Sequence, residues 1–264
     1  MKKKKNLTGE KAVNAYSTLS GKPRKKNNMN ELVQQAIKVA LGEIGPPPLI
    51  CRDLKLKGNQ YFHSPQVKTS IVLHHTAGTT AKSAIDWWNQ TPEQVGTAYV
   101  VDKDGKIYEV FPPDNWGYHI GSKITQYFDK ASIGIEIVSR GGIFKENDKY
   151  VWYPAYPNKK QKVIVNPLEV YATPTEWREF SYFDQYTDAQ VVSVTWLVAK
   201  LVKDFNIDVK GFTGDFYQYN EEVSTKKLPG IWSHTTFRKD KMDIFPQENL
   251  IQAIEETLKE LGLA

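Results

Sequence analysis

Apolar and polar residues along this chain switch between two periods, and the switches mark its elements. "SIVLHH" (70–75) and "SIGIEIV" (132–138) are nearly continuous apolar runs of strand length, the pattern of buried strands. After the first, "TAKSAIDWWN" sets Ala81, Ala84, Ile85 and Trp88 on one helical face. "TAYVVD" and "KIYEVF" flank "KDG" and predict a hairpin turning at Asp104-Gly105. Thr187 and Gln190 form a capping box ahead of a helix reaching about Phe205, and a further helix is expected from Gln247 to Leu261. Near the start, Leu32, Val33, Ala36, Ile37, Ala40 and Leu41 recur at helical spacing, with Asn30 as the expected N-cap and Gly42 and Gly45 at the end. Mixed strands covered by helices on their faces define an α/β domain. No internal repeat is visible.

Two stretches break this rhythm and set the expected organisation. "GPPPL" (45–49) ends the first helix and reads as a stiff linker, which places a boundary between residues 29–49 and a body from 50 to 264. Within the body, residues 141–186 hold prolines at 154, 157, 167 and 174 among many aromatics; "IFKENDKYVWYP" reads as a hairpin. The remainder looks like a long irregular connection, and such connections tend to be functional. We expect an insertion beside the site.

Charge changes the picture at the N-terminus only. The net charge of +5 hides nine Lys or Arg against Glu10 in residues 1–30, a net of +8, so the other 234 residues carry about −3. Residues 1–28 are rich in Lys, Asn, Ser and Gly and are expected to be a disordered basic leader, its charge suited to nucleic acid, to an anionic cell envelope or to solvent alone. "MKKKK" starts like a secretory signal, but "NLTGEKAVNAYS" stands where the apolar segment belongs, so no signal peptide is read. No run is long and apolar enough to span a bilayer. Cys51 is the only cysteine, which excludes an internal disulfide and a multi-cysteine zinc site and fits a reducing cytoplasm.

Candidate chemistry lies in three places. His74 and His75 end a strand, where successive side chains point to opposite faces, so at most one of them joins a site. "WSHTTFRKDKMDIFP" (232–246) offers His234 and Asp243 nine residues apart, which a loop can bring to one ion; a solvated, salt-bridged loop is the plainer reading. Glu136 interrupts the isoleucines of "SIGIEIV", an expensive place for a carboxylate without a partner. It either faces solvent, pairs with Arg140, or serves as a general base. One strand-end His, one loop His and one loop Asp would make the three-ligand set of a catalytic zinc, whose bound water has a pKa of about 7.

"IVLHHTAG", "AYVVDKDGKIYEV", "GYHIG", "SIGIEIV", "YTDAQ" and "SHTTFRKDKMDIFP" follow one another in an order that resembles zinc-dependent N-acetylmuramoyl-L-alanine amidases of type 2, a group with phage endolysins and peptidoglycan recognition proteins. The resemblance covers roughly 68–262, with 141–186 unmatched. It implies a mixed, twisted sheet flanked by helices with zinc in a groove along one edge. It also implies His74, His234 and Asp243 as ligands, Glu136 and Lys241 as the catalytic pair, and His119, with Tyr99 and Trp116, as substrate contacts. Ala98 replaces a common His, the short phage enzymes place a catalytic tyrosine near Thr97 and that variant of the mechanism is not expected here, and "DIFP" replaces the usual "DPGP". The implied function is cleavage of the amide between N-acetylmuramic acid and L-alanine of peptidoglycan or muropeptides. The expected setting is a monomeric phage endolysin held in the host cytoplasm until lysis, with no nucleic-acid partner. The alternatives are a muropeptide-recycling amidase, a zinc hydrolase on another amide, and a non-catalytic peptidoglycan-binding module.

Overall fold

A computed structural model of the chain describes residues 26–121, 126–209 and 215–264. The basic leader lies outside the described residues up to position 25. The first described element is helix α1 (Lys26–Leu41), so Asn30 sits inside the helix and is not its N-cap. The central sheet has six strands: β1 (Ile50–Cys51), β2 (Ser70–His75), β3 (Tyr99–Val101), β4 (Ile107–Glu109), β5 (Ser132–Ile137) and β11 (Gly230–Ser233). Their spatial order is β1-β4-β3-β5-β2-β11. Strands β3, β5, β2 and β11 run parallel, and β4 turns back antiparallel to β3 through the expected hairpin, so the sheet is mixed.

Its helices are α2 (Ala81–Trp88), α3 (Gln126–Ala131), α4 (Asp188–Phe205), α5 (Glu221–Lys226), α6 (His234–Phe237) and α7 (Glu248–Glu260). The capping box is formed, the Thr187 hydroxyl accepting from Gln190 N while the Gln190 side chain accepts from Thr187 N. One sheet face, with Ile71, Leu73, Ile133, Ile135 and Val101, packs into a core shared with α4 and α7. The other face, with Val72, carries a smaller cluster of Ile120, Phe128, Val223, Trp232 and Phe237. Leu32, Val33, Ala36, Ile37 and Val39 of α1 are buried in the larger core together with α4 and α7. The "GPPPL" segment therefore joins two parts of one core.

Residues 142–184 hold more order than their sequence suggested. They form a second, antiparallel sheet of β6 (Gly142–Glu146), β7 (Lys149–Trp152), β8 (Val163–Val165), β9 (Val170–Trp177) and β10 (Phe180–Asp184), in the order β8-β7-β6-β10-β9. The expected hairpin is β6–β7. Pro174 lies in β9, an edge strand, where a missing N–H is tolerated. A buried ion cluster ties this sheet to the body: Asp184 accepts from Arg140 N at 2.7 Å, Arg140 Nη1 at 2.8 Å and Lys103 Nζ at 3.0 Å.

Candidate active site

Parallel register determines what meets at the carboxyl ends of the central strands. His74 of β2 pairs with Glu136 of β5, so both side chains leave the same face. Ser233 of β11 pairs with Leu73, and His234 follows at once as the first residue of α6, beside His74. Ser233 caps that short helix, its hydroxyl accepting from Thr236 N. The loop then returns Asp243 to the same point because Thr235 holds it, with N and Oγ1 both donating to the Asp243 carbonyl at 3.0 Å. His74 Nδ1 lies 3.0 Å from His234 Nδ1 and 3.2 Å from Asp243 Oδ2, and His234 Nδ1 is 3.0 Å from that same oxygen.

The surrounding hydrogen bonds decide which of these nitrogens carry protons. His234 Nε2 donates to the Ile120 carbonyl at 2.9 Å, which leaves its Nδ1 bare. The Ser132 hydroxyl donates to the Phe128 carbonyl, so its oxygen accepts from His119 Nε2 at 3.1 Å. His119 Nδ1 then accepts from His74 Nε2 at 3.0 Å, and His74 Nδ1 is bare as well. Burial pushes the His74 pKa down to about 4 and that of His119 well below normal, so both rings are neutral.

Three lone-pair donors thus converge with no proton to share among them, an arrangement that a cation resolves. They form a group able to hold a metal ion among the described residues. With zinc–nitrogen bonds of 2.0–2.1 Å, tetrahedral ligands stand about 3.3 Å apart, close to the separations here. The donor set fits the ion.

Glu136 is half-buried in the cleft above this group, and its Oε2 has no hydrogen-bond partner. The competing pairing with Arg140 is not made, because Arg140 Nη1 binds Glu169 at 2.7 Å and Asp184 at 2.8 Å. Burial, and then the Asp243 charge, raise the Glu136 pKa well above normal, and the Lys241 ammonium opposes them. Lys241 lines the same cleft, a space of about 680 Å³.

Two of the expected substrate contacts lie elsewhere. Tyr99 alternates to the opposite sheet face, is buried, and donates from its hydroxyl to Glu109 at 3.2 Å; it takes no part in the cleft. Trp116 stacks on Phe62 at 3.8 Å between centroids, with Lys130 over its ring, and packs the body instead. His119 does line the cleft, but its nitrogens are spent on His74 and Ser132, so it holds the His74 ring in place. His75 points away from the ligand group, toward Phe245 and the Tyr186 hydroxyl, 3.4 Å from its Nδ1.

Sequence reasoning passed over the residues that position the ligands. Asp129 Oδ1 accepts from both His119 N and Ile120 N at 2.9 Å, so one carboxylate pins the loop that supplies both second partners of the imidazoles. Gly134 is required on β5, since a Cβ there would lie 2.6 Å from Thr97 Cγ2 and 3.1 Å from His119 Nδ1. The only sequence signal for Asp129 was an acidic residue just ahead of an apolar strand, which many loops share.

An α/β sheet with a His–His–Asp group and an unpaired carboxylate at the strand ends defines the architecture of a hydrolase site. The family described as N-acetylmuramoyl-L-alanine amidase matches residues 64–243. The chain belongs to that family, and it is a peptidoglycan amidase. No curated protein matches it. Among solved structures it is similar to a mutant endolysin from Bacillus subtilis, with 19% identity over 61% of this chain and 79% of that one and a TM-score of 0.38. The catalytic domain of XlyA is 15% identical over 82% and 99% of the two chains, with a TM-score of 0.43. The amidase LysC from Clostridium intestinale is 15% identical over 83% and 99%, with a TM-score of 0.37.

Proposed function

We propose that the chain is a zinc-dependent amidase that cleaves the bond between the lactyl group of N-acetylmuramic acid and the L-alanine of the stem peptide. The observation that carries this reading is the convergence of three bare ligand atoms beneath the unpartnered Glu136 carboxylate. Zinc held by His74, His234 and Asp243 supplies Lewis acidity toward a water and the scissile carbonyl. Glu136, its basicity raised by burial, takes a proton from the attacking water and returns it to the leaving nitrogen. Lys241 places a positive charge beside the oxygen on which negative charge develops. His119 and the Ile120 carbonyl keep the two imidazoles in their ligating tautomers.

The net charge of +8 over residues 1–30 favours an assembled, anionic wall over small soluble muropeptides, as for an endolysin freed at lysis. The test is digestion of peptidoglycan by the zinc-loaded protein with products read by mass spectrometry. The expected product is stem peptide with a free L-alanine amine. Cleavage within the glycan or between peptide residues overturns the assignment. Glu136→Gln is expected to lower the rate by a factor of about 10² to 10⁴ with zinc still bound. A chain without stoichiometric zinc, binding wall fragments unaffected by chelator, would instead be the non-catalytic module.

A further inference from the structure

The second sheet forms one wall of the cleft that holds the ligand group, and that wall is aromatic. Phe144, Tyr153, Tyr156 and Phe180 line it, and Trp87 of α2 lines the same cleft from the body. Two of these residues are open to solvent: Trp87 is 62% exposed and Tyr156 is 43% exposed. Tyr156 is held from behind, with its centroid 5.2 Å from Phe144 and 5.8 Å from Phe180. Gly142 makes room for this stack, because a Cβ there would lie 2.4 to 2.6 Å from three atoms of the Phe180 ring. Charged groups stand among the rings: Lys159 lies 4.3 Å above Phe144, and Glu179 accepts from the Tyr156 hydroxyl at 3.4 Å.

We infer that this wall is a carbohydrate subsite, in which Tyr156 and Trp87 stack against pyranose rings of the glycan strand on the lactyl side of the scissile amide. The chemistry selects a sugar. A pyranose presents a C–H face suited to an aromatic plane and a rim of hydroxyl and acetamido groups suited to Lys159 and Glu179. A lipid surface would require a contiguous apolar patch, whereas here Glu179 sits at the Tyr156 hydroxyl and Lys159 over the neighbouring Phe144. The reading rests on the amidase assignment for the direction of the substrate only. A lactyl-linked amide brings its sugar within a few bonds of the ligand group, so the wall beside that group meets glycan on one side.

The test separates this proposal from that assignment by measuring binding without turnover. The probe is peptide-free glycan of alternating N-acetylglucosamine and N-acetylmuramic acid, titrated into the full chain and followed by NMR, with free stem peptide as the parallel probe. Tyr156→Ala and Trp87→Ala are each expected to weaken glycan binding about three- to tenfold, and Tyr156→Trp to restore it. KM for multi-disaccharide chains should rise in both alanine variants more than KM for a single muramyl peptide. Glycan binding that depends on Tyr156 in a protein lacking amidase activity upholds the subsite and removes the assignment. Amidase activity with glycan unbound, or with only stem-peptide binding weakened by Tyr156→Ala, overturns the subsite and leaves the assignment standing.

Discussion

At the scale of single residues, the site is a set of proton decisions made by neighbours of the ligands. Asp129 is the residue on which most of these depend, since it fixes the backbone of both His119 and Ile120. Removing its carboxylate in Asp129→Ala is expected to lower zinc affinity about 10- to 100-fold, read by chelator competition. Asp129→Asn keeps an oxygen that accepts both N–H groups and should retain most of the affinity. Equal loss in the two variants would show that charge, not loop geometry, is what Asp129 contributes. Glu136 and Lys241 allow a second test, on pH. Glu136 is a base only when ionised, and burial and Asp243 raise its pKa while Lys241 lowers it. Activity should therefore fall on the acid side as the Glu136 carboxylate takes up a proton. Lys241→Ala removes the opposing charge, so the acid limb of kcat/KM should move to higher pH, apart from any change in rate. An unmoved limb would exclude Glu136 as the titrating base. These roles are only partly legible in sequence. The alternation rule alone separated His74 from His75 as residues of opposite faces, whereas the resemblance put Tyr99 and Trp116 at the substrate, and their aromatic side chains fit a buried sheet face as readily as a cleft.

At the scale of elements, legibility follows how local the stabilising interactions are. The helix from Thr187 and the hairpin at Asp104-Gly105 are specified within a few residues, by a capping box and a turn, and both form where expected. Strand β8 was missed because its ladder joins distant residues, Val165 lying opposite Tyr150, and β9 and β10 because their hairpin turns at Arg178-Glu179, both at positive φ with no Gly or Asn to signal the turn, while Pro174 interrupts the alternation of β9. What keeps this second sheet on the body is also non-local: Asp184 of β10 meets Lys103 and Arg140 from the segments that follow β3 and β5. Asp184 is fully buried, so Asp184→Ala takes a shared acceptor from two cations and should cost about 3–5 kcal/mol of stability, measured by chemical denaturation. Asp184→Asn keeps an acceptor for Arg140 N and should cost less. Losses equal to those of an exposed ion pair would mean that the sheet is held by its apolar contacts alone.

At the scale of the whole molecule, the fold extends past the segment that carries the family pattern. The family match ends at Asp243, yet Phe245 stacks between Phe183 and Tyr186, with centroids 4.5 Å and 4.3 Å away. Beyond it, Leu250, Ala253, Ile254 and Leu258 of α7 enter the same core as Leu32, Val33, Ala36 and Ile37 of α1. These two helices, from opposite ends of the chain, pack on α4 and on each other, and neither lies within the matched residues. Each large apolar side chain withdrawn from water contributes about 1.5–3 kcal/mol, while a domain's net stability is only about 5–15 kcal/mol. Stripping both helices also uncovers the apolar face of α4 on which they pack, and the burial lost is comparable with that margin. The fragment 64–243 is expected to be unfolded and inactive although it retains every ligand, Glu136 and Lys241. A milder probe keeps the argument quantitative: Ile37→Ala should cost about 2–5 kcal/mol and lower the melting temperature by about 2–4 °C for each kcal/mol. A fragment that melts cooperatively at the temperature of the full chain would show that α1 and α7 cover the core without supporting it.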